Sequence, residues 1–375
     1  MKLAFTIFRY FPYGGLQLDF ARFLQEGIRR GHDITVLYDR WEGDFIPGAA
    51  YEHLDCRALT NWGRALEFER LAKTFFQSRS FDLIIGCNRM AGLDIYFAAD
   101  NCFAAHAGRK NWFVRLISPR YRVYGRMEKN IFERSGKTII LYIAERQKSG
   151  YVECYGTPEA RFRYLPPGVP PEFCVRTALE KREIRFRICR DLKIGTESLL
   201  LMQVCSAFRT KGVDRVLDAL GQLSEPLRRR VVYLVAGSDR HGEYRRRAER
   251  LGIGGQVFFI GVRNDLPQLL TAVDLMVHPA RNEAAGNVLA EAVSAGLPVI
   301  CTENCGYAPL VGEAGGVVLT EPYRKTALMD ALELTLGLPG ALDRMRKDAE
   351  KYAAKTDFHH RTEKFWDFIG EAAHA

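Results

Sequence analysis

No run of about 18 uninterrupted apolar residues occurs in the 375-residue chain, which excludes a helix long enough to span a bilayer. The nine cysteines include no C-x-x-C pair, and the histidines do not cluster at zinc spacing, so reduced thiols are expected rather than a disulfide framework or a structural metal site. Three catalytic signatures are also missing: D-x-D for a metal on a nucleotide diphosphate, G-x-x-x-x-G-K-[ST] for ATP, and the G-x-S-x-G nucleophile elbow. In the opening stretch MKLAFTIFRYFPYGG, Arg9 interrupts the apolar run and no small-residue cleavage site follows, so a first buried strand is expected there instead of a signal peptide. Low-complexity segments and short-period repeats are absent.

What is present is globular. At 47% hydrophobic and 26% charged residues, the chain can bury substantial cores, and at roughly 150 residues per domain its length suggests two domains. The formal net charge of +9 admits polyanionic partners: nucleic acid, an anionic membrane, or a phosphate-bearing substrate.

Short β-rich runs alternate with helical patterns, the signature of parallel sheets covered on both faces. Lys2–Phe8, Asp33–Tyr38, Phe81–Cys87 and Thr138–Ala144 read as strands of a first domain, with a helix through Leu16, Phe20, Phe23, Leu24 and Ile28 closed by Gly31. The residues between Cys87 and Thr138 read as irregular. Leu165–Phe173, with four prolines and one glycine in nine residues, suits neither a helix nor a central strand and is taken as the domain junction. Beyond it the alternation restarts: strands at Ser198–Cys205, Val231–Gly237, Val257–Gly261, Asp274–His278, Pro298–Cys301 and Gly316–Leu319, with a helix at Val213–Leu223. The expected division is 1–165, 166–355, and a terminal helix in 356–375 that packs back on the body through Phe358, Phe365, Trp366 and Ile369. The fold class is thus α/β, with two doubly wound, Rossmann-like domains facing each other across a cleft, where such sheets bind ligands.

Four loops carry the chemistry. Gly14-Gly15 joins the first strand to the first helix; lacking Cβ atoms, it lets backbone approach a diphosphate, though a bare pair also serves a tight turn. Asp19, one turn into the helix, either accepts a hydrogen bond from a sugar or acceptor hydroxyl or complements the helix dipole. Arg209 and Lys211, after the first strand of the second domain, can neutralise a departing diphosphate or lie as solvated surface charge. In NEAAGNVLAEA, Glu283 and Glu291 are suited to hold vicinal hydroxyls, and the amides of Ala285, Gly286 and Asn287 open a helix toward phosphate or sugar oxygens; an ordinary exposed helix would show the same glutamates. The fourth region, residues 103–132, interleaves Arg109, Lys110, Arg115, Arg120, Arg122, Arg126 and Lys129 with Trp112, Phe113, Leu116, Ile117, Tyr121 and Tyr124 against the single acid Glu128. Such a mixture suits an anionic membrane surface, with a solvated face and single-stranded nucleic acid as the competing readings; the missing nucleic-acid fold signatures favour the membrane.

Taken together, RYFPYGGLQLDF, WEGD, MAGLDIYFAAD, LPPGV, KGVDR, RNDL, the E-x7-E of EAAGNVLAE, AGLPV and CGYA resemble the retaining glycosyltransferases of the two-domain GT-B fold, and among them the bacterial lipopolysaccharide core glucosyltransferases. These stretches span nearly the whole chain. The resemblance implies that Gly14 and Gly15 lie against the donor diphosphate and Asp19 lies near the transferred sugar. Arg209 and Lys211 would bind the diphosphate, Arg263 would lie near the uracil, Glu291 would hold the ribose, and Glu283 with Ala285, Gly286 and Asn287 would hold the sugar. It also implies UDP-glucose as donor, a heptose of the lipid-anchored inner core as acceptor, no cofactor or metal, no nucleic-acid partner, and a cytoplasmic enzyme on the anionic inner-membrane surface. Departures are Thr210, where many relatives carry a basic residue, Asp100, which takes the place of a sugar-facing histidine, and Asn287, where an aliphatic residue is common. A UDP-sugar epimerase on the same fold, and a non-enzymatic lipid or nucleic-acid binder, are the alternatives. The first would interconvert donor without acceptor, and the second would show no saturable UDP affinity.

Overall fold

The structure is a computed structural model that describes residues 1–12, 14–108 and 117–373. The chain forms two compact units, Met1–Gly168 with His360–Ala375, and Val169–His359. The division falls inside the proline-rich stretch, and the terminal helix Arg361–Ala373 belongs to the first unit.

The N-terminal unit is built on seven parallel strands: β1 (Lys2–Tyr10), β2 (Asp33–Trp41), β3 (Ala50–His53), β4 (Leu83–Gly86), β5 (Ile95–Ala98), β6 (Ile139–Tyr142) and β7 (Phe162–Tyr164), in the order β3-β2-β1-β4-β5-β6-β7. Three of these, β3, β5 and β7, are not legible as strands in the sequence. Each has only three or four residues, too few for a period to stand out. The helix Gly15–Arg29 turns Phe20, Phe23 and Leu24 inward, and Gly31 ends the pattern at φ +80°. Against its inner face lies the terminal helix: Phe365 stacks on Phe23 with ring centroids 3.8 Å apart, and the Trp366 Nε1 donates to the Phe23 carbonyl at 3.1 Å.

The stretch after β5 is a correction to the expected irregular segment. It holds the helices Phe103–Gly108 and Pro119–Phe132, and the latter buries Met127, Glu128, Ile131 and Phe132. Glu128, the lone acid of the basic stretch, is an interior anchor. It accepts from the Phe103 and Ala104 amides at 2.7 and 2.9 Å and from the Tyr155 hydroxyl at 2.8 Å, so it caps one helix from the core of another.

The C-terminal unit repeats the plan with six parallel strands: β8 (Leu199–Val204), β9 (Val231–Ala236), β10 (Val257–Gly261), β11 (Leu275–His278), β12 (Val299–Thr302) and β13 (Val317–Leu319), ordered β10-β9-β8-β11-β12-β13. β9, β11 and β12 are buried along their whole length because helices cover both faces, so their residues read as continuous apolar runs. In each unit the strand order reverses beside the first strand, between β1 and β4 and between β8 and β11. A doubly wound sheet opens a ligand crevice at the carboxyl ends of such a pair.

Candidate active site

The crevice of the C-terminal unit is shaped by one glycine. Gly212 has φ +80°, and a Cβ there would meet the Pro279 carbonyl oxygen at 2.2 Å, so the turn after β8 touches the turn after β11. Arg281 fastens the contact: its amide donates to the Thr210 carbonyl at 2.8 Å and its guanidinium grips Asp214 at 2.8 and 2.7 Å. The Gln203 amide nitrogen, itself bonded to the Tyr233 hydroxyl through its oxygen, donates to the Lys211 carbonyl at 2.6 Å.

This seam brings Lys211 to Glu283. The ammonium lies 2.5 Å from Glu283 Oε2, and His278 Nε2, on a side chain only 1% exposed, lies 3.2 Å from the same oxygen. Burial by itself would raise the Glu283 carboxyl, but the His278 hydrogen bond and the nearby Lys211 charge outweigh it and hold the group at about 2. Glu283 is therefore an anion at neutral pH and an acceptor, not an acid. Both contacts fall on Oε2, which leaves Oε1 to receive a hydroxyl. Beside it, the helix Asn287–Ser294 begins after Gly286 at φ +88°, with no side chain capping its first amides. Ala285 is buried and its carbonyl accepts from the Tyr307 amide at 2.8 Å, fixing the turn. Among the described residues no three His, Cys, Asp or Glu side chains group as a metal site.

The structure thus gathers Lys211, Glu283, Ala285, Gly286 and Asn287. Glu291 is half-buried, the fifth residue of the helix and one turn inside it. His278, Gln203, Asp214 and Arg281 were not legible as site residues, although HPA directly follows an apolar strand and marks a carboxyl-end loop.

Other expected residues lie elsewhere. Arg209 is two residues from Lys211 on a four-residue helix and so points away from it; it lines a small cavity of about 110 Å³ with Tyr244, Arg247 and Arg250. The expected cation pair is split. Arg263, after the edge strand β10, is clamped by Asp265 at 2.8 and 2.7 Å. In the N-terminal unit, Gly14 and Gly15 open the helix Gly15–Arg29 without a side-chain cap. A Cβ at Gly14 would fall 2.0 Å from the Gln17 side chain, which is held by its bond to the Arg9 carbonyl.

Asp19 lies in the interior of the N-terminal unit. It is 3% exposed, 2.5 Å from Arg361 Nη1 and 3.7 Å from Arg22, under Gly168, where a Cβ would crowd both Arg361 and Asp19. Burial pushes its carboxyl up against the pull of both arginines. Such a group bolts the terminal helix to the unit. Asp100 follows β5, its side chain 63% exposed, and Arg120 and Arg122 are exposed on their helix. Arg109, Lys110, Trp112, Phe113 and Arg115 lie outside the described residues. No described helix is long and apolar enough to cross a membrane.

Two parallel Rossmann-like sheets, each with a crevice at its switch point, make a GT-B fold, and the second carries a cation and a fixed carboxylate at a helix start. Residues 185–356 match the family model of the group 1 glycosyl transferases. The chain is 35% identical over 370 residues to the lipopolysaccharide glucosyltransferase WaaG of Escherichia coli K12, covering 98% of each protein. The crystal structure of WaaG superposes with a TM-score of 0.91 at 36% identity, over 98% of this chain and 99% of that one. A D-inositol 3-phosphate glycosyltransferase of Xylanimonas cellulosilytica is 28% identical over 212 residues, 53% of this chain and 48% of that protein. Anabaena HepE in complex with UDP and glucose shares the fold, with a TM-score of 0.74 at 17% identity over 99% of this chain and 100% of that one. The chain belongs to the WaaG family of group 1 glycosyltransferases and is an enzyme of the sugar-transfer class.

Proposed function

We propose that this enzyme moves glucose from UDP-glucose to a heptose of the lipopolysaccharide inner core, with retention, at the cytoplasmic face of the inner membrane and without a metal. The observation that carries the reading is the Lys211 ammonium against Glu283 beside an uncapped helix start, in a chain that matches WaaG over nearly its full length. A leaving diphosphate gathers negative charge as the glycosidic bond breaks. Lys211 and the amides that open the helix Asn287–Ser294 supply fixed positive charge to it. Glu283 Oε1 accepts from a hydroxyl of the transferred sugar, Glu291 from the ribose, and Arg263 borders the base. Attack comes from the face the diphosphate leaves, and a leaving phosphate oxygen takes the acceptor proton, so no enzymic nucleophile is required.

The test is a panel of UDP-sugars assayed for transfer onto purified, truncated core lipopolysaccharide, with and without chelator. The reading requires preference for UDP-glucose, a product with the donor's anomeric configuration, and indifference to chelation. Conversion of donor in the absence of acceptor would favour an epimerase. The membrane part has its own measurement: charge reversal at Arg109, Lys110, Arg115 and Arg120 abolishes co-sedimentation with anionic vesicles, and unchanged sedimentation removes it.

A further inference from the structure

The switch point of the N-terminal sheet, between β1 and β4, holds a cavity of about 300 Å³ that the sequence reading did not single out. Phe8, Asn88, Arg89, Asp100, Arg120 and Tyr124 line it. Its volume suits one small ligand. Arg89 is its central group: a guanidinium 14% exposed, with Nη2 spent on the Asn101 carbonyl at 2.7 Å. Its Nε lies 3.0 Å from Glu128 yet is out of line for a hydrogen bond and has no other partner. Glu128, as described above, is already occupied by two amides and a tyrosine. Toward the cavity, Nη1 meets the Asp100 carboxylate at a loose 3.6 Å. Arg120 adds a second cation at the exposed rim and makes no ion pair among the described residues. Asp100 and the buried Glu128 balance Arg89, so Arg120 is the cation the rim presents to a ligand, and the rings of Phe8 and Tyr124 offer apolar faces to a sugar.

We propose that this cavity takes the acceptor, and that it selects a saccharide carrying an anionic substituent, a phosphate or a carboxylate, read by Arg89 and Arg120 while Asp100 accepts from a sugar hydroxyl. The proposal rests on the reading of the enzyme as a transferase to a saccharide and names what that acceptor must carry. Arginine's planar fork matches either anion in two parallel bonds. The helix Pro119–Phe132, which supplies Arg120 and Tyr124, is also part of the basic aromatic stretch, so the cavity wall and the proposed membrane contact are one element.

The experiment compares initial rates on matched core saccharides: intact, dephosphorylated, carboxyl-reduced, and lacking both anions. In the wild-type chain, removing the anion that is read raises the acceptor KM on the order of tenfold, the worth of a charged hydrogen bond, and the single-anion arms tell phosphate from carboxylate. In Arg120→Gln the ratio of KM values for anion-free and intact acceptor falls toward one, and inorganic phosphate ceases to compete with the acceptor. Arg89→Gln is the stronger variant, but Arg89 also steadies Asn101 and Glu128, so the exposed Arg120 carries the decision. Equal wild-type KM for intact and anion-free acceptors, or an Arg120→Gln ratio unchanged from wild type, overturns this proposal alone. A wild-type chain that neither binds UDP nor transfers sugar overturns it together with the transferase reading.

Discussion

Two carboxylates, the buried Asp19 and the half-buried Glu283, each lie 2.5 Å from a cation, and they sit in different settings. Asp19 is enclosed by Arg361, Arg22 and Gly168, with burial pushing its carboxyl up; both ends of its pair are inside the N-terminal unit's core. Glu283 stands at the mouth of a switch-point crevice, held at about 2 by His278 and Lys211, with one oxygen uncommitted. Short ion pairs therefore say little by themselves. What separates a bolt from a binding group is whether the pair borders the carboxyl-end loops and keeps an acceptor to spare.

Substitutions can break this contrast. Asp19→Ala strands Arg361 in the core and should cost about 3–5 kcal/mol of unfolding free energy, while UDP affinity by calorimetry stays at the wild-type value. Pairing it with Arg361→Met should recover much of that loss. A weakened UDP affinity in a folded Asp19→Ala chain would return Asp19 to the site. Lys211→Ala should do the reverse. Turnover falls by about 10²–10³, the range for one lost electrostatic stabiliser, and Glu291→Ala weakens UDP binding; wild-type kinetics in both would erase the assigned centre.

Acidification sharpens the comparison. Because the folded Glu283 carboxyl is lowered from 4.5 to about 2, its stabilisation is fully present above about pH 4.5 and is lost as pH falls toward 2. The shift is worth about 3 kcal/mol at most, on about 1.36 kcal/mol per pH unit. Chemical denaturation from pH 5 to 2 should show a slope that Glu283→Gln removes. The smallest effect separates two glycines of equal φ, +80°: Gly31, with open space around it, and Gly212, pressed on Pro279. Gly31→Ala should cost only the left-handed penalty of about 1–2 kcal/mol and leave turnover alone, whereas Gly212→Ala must shift the loop and lower turnover through Lys211.

Much of the architecture was legible. The strand runs at Lys2–Phe8, Val231–Gly237 and Asp274–His278 stood out because a parallel strand covered on both faces is a dense apolar block. The short strands β3, β5 and β7 did not. The site was legible where a backbone demand fixes residue type, as at Gly286, and where a helix opens at Asn287. It was illegible where two side chains meet only across the fold. The Asp19–Arg361 bolt joins residues 342 positions apart, and Glu128 accepts from amides more than twenty positions before it.

The two alternating α/β halves, the glycine turns and the family are written in the residue order, since these follow from local periodicity, from φ angles that only glycine adopts freely, and from motifs spread along the chain. Only the tertiary structure decided which charges work together. It split Arg209 from Lys211, joined Lys211 and His278 on Glu283, and buried Asp19 beside Arg361. The reason is that Coulomb forces and hydrogen bonds act over a few ångströms of space, and residue number carries no record of which side chains packing will bring that close.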